Sequence, residues 1–102
     1  MDQLYLLAQG YNRRFPRGVD PFQMVTRLLE ECGEVASEVN HWEGSGVKRQ
    51  KHGEPSKAQL ANEIRQALAA LASIAAYYSV EEELQASIED SLSHMRAEGL
   101  ID

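Results

Sequence analysis

The run Leu28-Leu29-Glu30-Glu31-Cys32-Gly33-Glu34-Val35-Ala36-Ser37-Glu38 permits few conformations. Its apolar residues recur every three or four positions and its four carboxylates fall within three helical turns, a pattern that suits an α-helix and not a strand. At about 100° per residue, Glu31, Glu34 and Glu38 share one side of that helix. Leu28, Cys32, Val35 and Val39 form the neighbouring apolar stripe, widened by Val25, Leu29 and Ala36. The acids are therefore expected at the border between core and solvent, and Cys32 in the core as a buried thiol. Carboxylates so placed repel one another unless something positive sits among them. A hard divalent cation answers that need, because Mg²⁺ takes oxygen ligands and keeps waters for a phosphate substrate. The plainer reading is a solvated acidic face.

The rest of the chain is helical by the same test, and no period-two alternation of useful length interrupts it. Leu4, Leu7, Ala8 and Tyr11 predict a first helix over about 2–14, broken by Phe15-Pro16-Arg17-Gly18. Asp20 before Pro21 is a capping residue followed by a proline suited to the first helical position, so a second helix runs from there to Trp42 or Glu43. Gly44-Ser45-Gly46 ends it. Ser56 caps a third helix over about 57–78, with Gln59 at the capping-box position. This helix carries Leu60, Ile64, Leu71, Ala75 and Tyr78 as its stripe. Its alanines (Ala67, Ala69, Ala70, Ala72, Ala75, Ala76) suit a tight bundle or a subunit interface. Ser79 and Glu81-Glu82-Glu83 open a fourth helix, where carboxylates complement the dipole; Leu84, Ile88, Leu92 and Met95 line it, and Gly99 stops it. The expected class is all-α, a four-helix bundle in a single domain over 1–102.

A net charge of −6 argues against general binding to nucleic acid or membrane surfaces. The start lacks a basic, apolar leader and no run is long enough to span a bilayer, so a cytoplasmic location is expected. A lone cysteine precludes an internal disulfide.

On the third helix Glu63 and Gln66 lie one turn apart at the edge of the stripe, as Glu31 and Glu34 do on the second. If the two helices pack antiparallel, a Glu/Glu pair faces a Glu/Gln pair and forms an oxygen cage for Mg²⁺. A di-iron site is disfavoured: Glu38-Val39-Asn40-His41 supplies one Glu-x-x-His motif, but neither His52 nor His94 supplies its mate. His94 is expected at the surface, and Tyr77 and Tyr78 in the core or an interface.

Glu30-Glu31-Cys32-Gly33-Glu34, a basic loop, and then Glu63 on a helix together resemble the MazG-like all-α nucleoside triphosphate pyrophosphatases, whose signature is EExxE followed by ExxD. The likeness spans nearly the whole chain and includes Phe22 through Glu34, the Glu43-Gly44-Ser45-Gly46 turn and the Lys48-to-Gly53 loop. It implies a dimer or tetramer that hydrolyses a (d)NTP to the monophosphate and pyrophosphate with Mg²⁺, or Mn²⁺ in its place. Glu31, Glu34 and Glu63 match the ligand positions. Gln66 stands where the family has Asp, so one ligand brings an oxygen without a charge, and Glu38 is a candidate to supply the missing charge. In such a site Glu34 or Glu38 is the candidate general base. Lys48, Arg49 and Lys51 are candidates to neutralise the triphosphate, and Trp42 to stack on the base, with Asn40 and His41 near its edge. Two other readings compete: a catalytically impaired nucleotide-binding member, because of Gln66, and a helical oligomeric interaction module, because of the alanine-rich helix.

Overall fold

Asp20 fixes the start of the longest helix: its carboxylate accepts hydrogen bonds from the backbone N–H of Phe22 (3.0 Å) and Gln23 (3.1 Å). The computed structural model describes residues 1–44 and 53–102. Among these it contains α1 (Asp2–Arg14), a 3₁₀ turn (Pro16–Gly18), α2 (Pro21–Glu43), α3 (Lys57–Tyr77) and α4 (Glu81–Ala97), and no strand. The all-α class and the four helices are as expected. Gly44 closes α2 in the left-handed region at φ 72°, where a side chain would be strained. Ser56 caps α3 through the Gln59 N–H. The Gln59 side chain, expected to complete a capping box, instead donates to Glu63 Oε1 at 2.7 Å. Val80, not Ser79, occupies the cap position of α4. Replacing Asp20 with alanine removes both capping bonds and is expected to cost about 1 kcal/mol. In a thermal melt that is a fall of roughly 4–8 °C.

α3 is the central element and packs against both α1 and α2. Gln66 meets Glu31, while Ala70 and Ser73 line a small cavity with Met24 and Arg27, so residue numbers fall along α2 as they rise along α3 and the pair is antiparallel. α1 lies over one side of that pair. The Ser73 hydroxyl donates to Asn12 Oδ1 at 3.2 Å, and the Arg27 guanidinium stands 5.2 Å from the centre of the Tyr11 ring. α4 packs sparsely against α3 and buries no residue. The radius of gyration is accordingly 16.6 Å. A compact body of this length would have about 13 Å.

The core differs from the expected one. α2 turns Met24, Glu38 and His41 inward and leaves Val25, Leu29, Val39, Ala36 and Cys32 exposed. On α3 the alanines are the buried face (Ala69, Ala70, Ala72, Ala75, with Ser73), while Ile64, Leu68, Leu71 and Tyr78 face outward. Small side chains explain the choice: α3 is flanked by two helices, and alanine lets both backbones approach closely where leucine on the same sides would hold them apart. Cys32 is thus an exposed thiol, and the stripes expected to form the core within one chain are largely on its surface. Tyr77 and Tyr78 are likewise exposed, packed edge to face on one another with ring centroids 4.9 Å apart. No described helix is long and apolar enough to cross a membrane.

Candidate functional site

Gln66 joins the two acidic edges. With its amide nitrogen turned toward the carboxylates, the orientation that satisfies every group, it donates to Glu31 Oε2 at 2.9 Å and to Glu63 Oε2 at 3.2 Å. Glu63 is buried at the α2–α3 contact, and its other oxygen accepts from Gln59. Acids from two helices, distant in sequence, therefore share one polar group between them.

Burial pushes the Glu31 carboxyl above its usual range; the Arg27 guanidinium opposes the shift, and the charges of Glu63, Glu34 and Glu30 add to it. Because the folded state holds this proton more tightly than the unfolded chain, the contribution of Glu31 to stability is fully present below the ordinary carboxylate pKa and is lost as pH rises through the raised one. Glu31→Gln is therefore expected to raise the melting temperature by a few degrees at pH 7 without metal, and to gain less at pH 4. Paired melts at the two pH values in EDTA test this.

The three acids of α2 have different surroundings and do not all lie at the border. Glu31 is half-buried and Glu34 exposed, whereas Glu38 is only 2% exposed. Glu38 Oε2 lies 3.8 Å from His41 Nδ1, and His41 Nε2–H donates to the Gly53 carbonyl at 2.6 Å. The single Glu-x-x-His motif thus links α2 to the chain entering α3. His94 is on the exposed face of α4, as expected, with its ring 2.9 Å from the Asp90 carbonyl. Trp42 is partly exposed near the end of α2, about 16 Å along the axis from Glu31. Lys48, Arg49, Lys51 and His52 lie outside the described residues.

The cleft that reaches Glu31 is built from other residues. It has a volume of about 540 Å³ and is lined by Phe15, Phe22, Gln23, Thr26, Arg27, Glu30 and Glu31. Phe22 is 84% exposed, unusual for a phenylalanine unless something covers it. The polar α2 members follow helical spacing (23, 26, 27, 30, 31), so the polar side of the pattern could have revealed them. The two phenylalanines are adjacent to Pro16 and Pro21, and only the folded 3₁₀ turn brings them to the same cleft.

The donor set is oxygen-rich and suits a hard cation. Among the described residues no group of three His, Cys, Asp or Glu side chains forms a ready-made cage. Mg²⁺ does not require one, since it is held by one or two carboxylates with water and phosphate oxygens completing its shell. Glu31 and Glu63 would supply the carboxylates, and Gln66, rotated to present Oε1, a neutral oxygen. Compared with known proteins, the chain matches no family model, no curated protein and no solved structure.

Proposed function

We propose that the chain is a Mg²⁺-dependent nucleoside triphosphate pyrophosphohydrolase of the MazG-like kind, releasing a nucleoside monophosphate and pyrophosphate, and that it works as a homodimer or homotetramer. The observation that carries this reading is the Gln66 amide shared between Glu31 and Glu63, which brings the two halves of the acidic pattern to one point. A bound Mg²⁺, or Mn²⁺, would supply charge neutralisation of the phosphates and a more acidic water. Glu31 and Glu63 would hold it. Of the two candidate bases, Glu34 is favoured: it is open to water and its charge is felt at Glu31, whereas Glu38 is buried beside His41. Glu34 accepts the proton of the water that attacks the α-phosphorus, and pyrophosphate leaves. Phe15 and Phe22 offer flat apolar faces on which a base can stack, in the cleft that reaches Glu31, and Gln23 and Thr26 offer hydrogen bonds beside them. Lys48, Arg49 and Lys51 remain the candidate partners of the triphosphate.

A second reading, a member that binds nucleotides but turns them over poorly, is favoured by the same amide. Its N–H₂ already satisfies both carboxylates, so a cation must displace a formed network and gains one charge fewer than an Asp would give. A pyrophosphate-release assay across NTPs and dNTPs with Mg²⁺ or Mn²⁺ separates the two. Turnover that falls by about 10²-fold or more in Glu31→Ala and Glu63→Ala supports the enzyme. Nucleotide-dependent thermal stabilisation without turnover supports the binding protein, and neither response leaves the helical interaction module.

A further inference from the structure

Arg27 is a half-buried cation whose hydrogen-bonding groups are unused. Among the described residues no carboxylate pairs with it and no acceptor takes any of its N–H donors. Its neighbours would favour otherwise: Glu30 and Glu31 follow it by three and four positions, the spacing at which opposite charges meet on a helix. The guanidinium lies instead over the Tyr11 ring, 5.2 Å from its centre. That contact orients the cation without offering it an acceptor atom, so the donors stay unspent. The stem is fixed as well, since Arg27 lines the small cavity with Met24, Ala70 and Ser73. A charge held at both ends thus lines the cleft that Phe15, Phe22 and Glu31 also line, and it is the one cation among the described residues that do so.

Its place along α2 says which part of a nucleotide it would meet. On the axis Arg27 stands about 7.5 Å from Phe22 and about 6 Å from Glu31. With a base on the phenylalanines and a metal at the acids, the group between them is the first phosphate. We propose that Arg27 binds the non-bridging oxygens of the α-phosphate, the one that is attacked and that stays on the monophosphate, with Tyr11 as its positioning residue. This assignment rests on the pyrophosphohydrolase reading. In the reaction the water oxygen bonds to the α-phosphorus and its proton passes to Glu34. The bond to the α–β bridging oxygen breaks, and its electron pair leaves on pyrophosphate. Arg27 gives up no proton; its planar fork spans two oxygens of the attacked phosphorus and holds it in line.

The test is steady-state kinetics of the full chain with Mg²⁺ and the best substrate among the NTPs and dNTPs, with the matching monophosphate and pyrophosphate as inhibitors. Arg27→Met keeps an apolar stem in the cavity and removes the charge. It is expected to lower kcat/KM about 10²-fold or more and to weaken inhibition by the monophosphate about tenfold or more, while inhibition by pyrophosphate stays within about twofold. Arg27→Lys restores the charge without the fork and should recover part of the loss. Tyr11→Leu should give the same pattern at smaller size, about threefold to tenfold in kcat/KM. In a parent that binds nucleotide without turnover, the same contrast is read as affinity for the two products. A parent that neither binds nor hydrolyses nucleotide overturns the pyrophosphohydrolase reading and this assignment with it. A parent that hydrolyses nucleotide, beside an Arg27→Met variant that loses both inhibitions equally or neither, overturns the assignment alone. So does a loss that disappears at about pH 9, because Arg27 would then act only by keeping Glu31 ionised.

Discussion

Replacing Gln66 with Asp is expected to make the stability of the protein depend on Mg²⁺. The amide now donates to Glu31 at 2.9 Å and Glu63 at 3.2 Å, and a carboxylate in its place takes away both donors and adds a third negative charge. Without metal, the buried Glu63 and the half-buried Glu31 each lose a donor, at a cost of about 1–3 kcal/mol. For a chain of this size that is a fall in melting temperature of roughly 4–20 °C. With Mg²⁺ the sign reverses, because three carboxylates then neutralise one dication, and the melting temperature should recover to or above that of the parent. Melts of parent and variant in EDTA and in millimolar Mg²⁺ check this. If the parent hydrolyses nucleotides slowly, the variant should also bind Mg²⁺ about tenfold or more tightly and turn over faster at low Mg²⁺. A variant no less stable in EDTA, and no more stable in Mg²⁺, would show that Gln66 is not the hinge of a cation site.

The second large effect is expected from Ala70→Leu. Ala70 is 4% exposed and lines, with Met24, Arg27 and Ser73, the tight contact of α2 and α3 one turn from Gln66. A leucine there has no void to enter; the cavity at that point is about 10 Å³. Overpacking of this kind costs about 1–3 kcal/mol and moves backbones rather than side chains. The helices must separate at the level where Glu31 and Glu63 meet. Metal-dependent stabilisation and any pyrophosphate release should therefore fall together, with a loss of roughly 4–20 °C in melting temperature. Ala61→Leu, exposed on the same helix, is the control and should change neither. Equal effects at the two positions would mean that the alanine face does not set the spacing of the acids.

How much of this was legible in the chain depends on the range over which each signal acts. Asp20-Pro21, Ser56 and Gly44 mark helix ends by local backbone chemistry; α2 begins and ends, and α3 begins, where those signals place them. The acidic pairs Glu31/Glu34 and Glu63/Gln66 were visible as one-turn spacings, and their convergence required only that two apolar helices pack antiparallel. The sequence by itself therefore determined the helices, their order and which residues are candidates for a shared site. It did not determine which face of each helix is inside. Periodicity shows that Leu29, Leu71 and Ala70 lie on distinct faces, but both faces of α3 are apolar, and hydrophobicity alone favours burying the larger one. Only the tertiary structure decided that α3, held between α1 and α2, buries its alanines, because close approach on two sides requires small side chains. That choice turned Glu38 and His41 inward, left Cys32 exposed, and turned the bulky stripes outward.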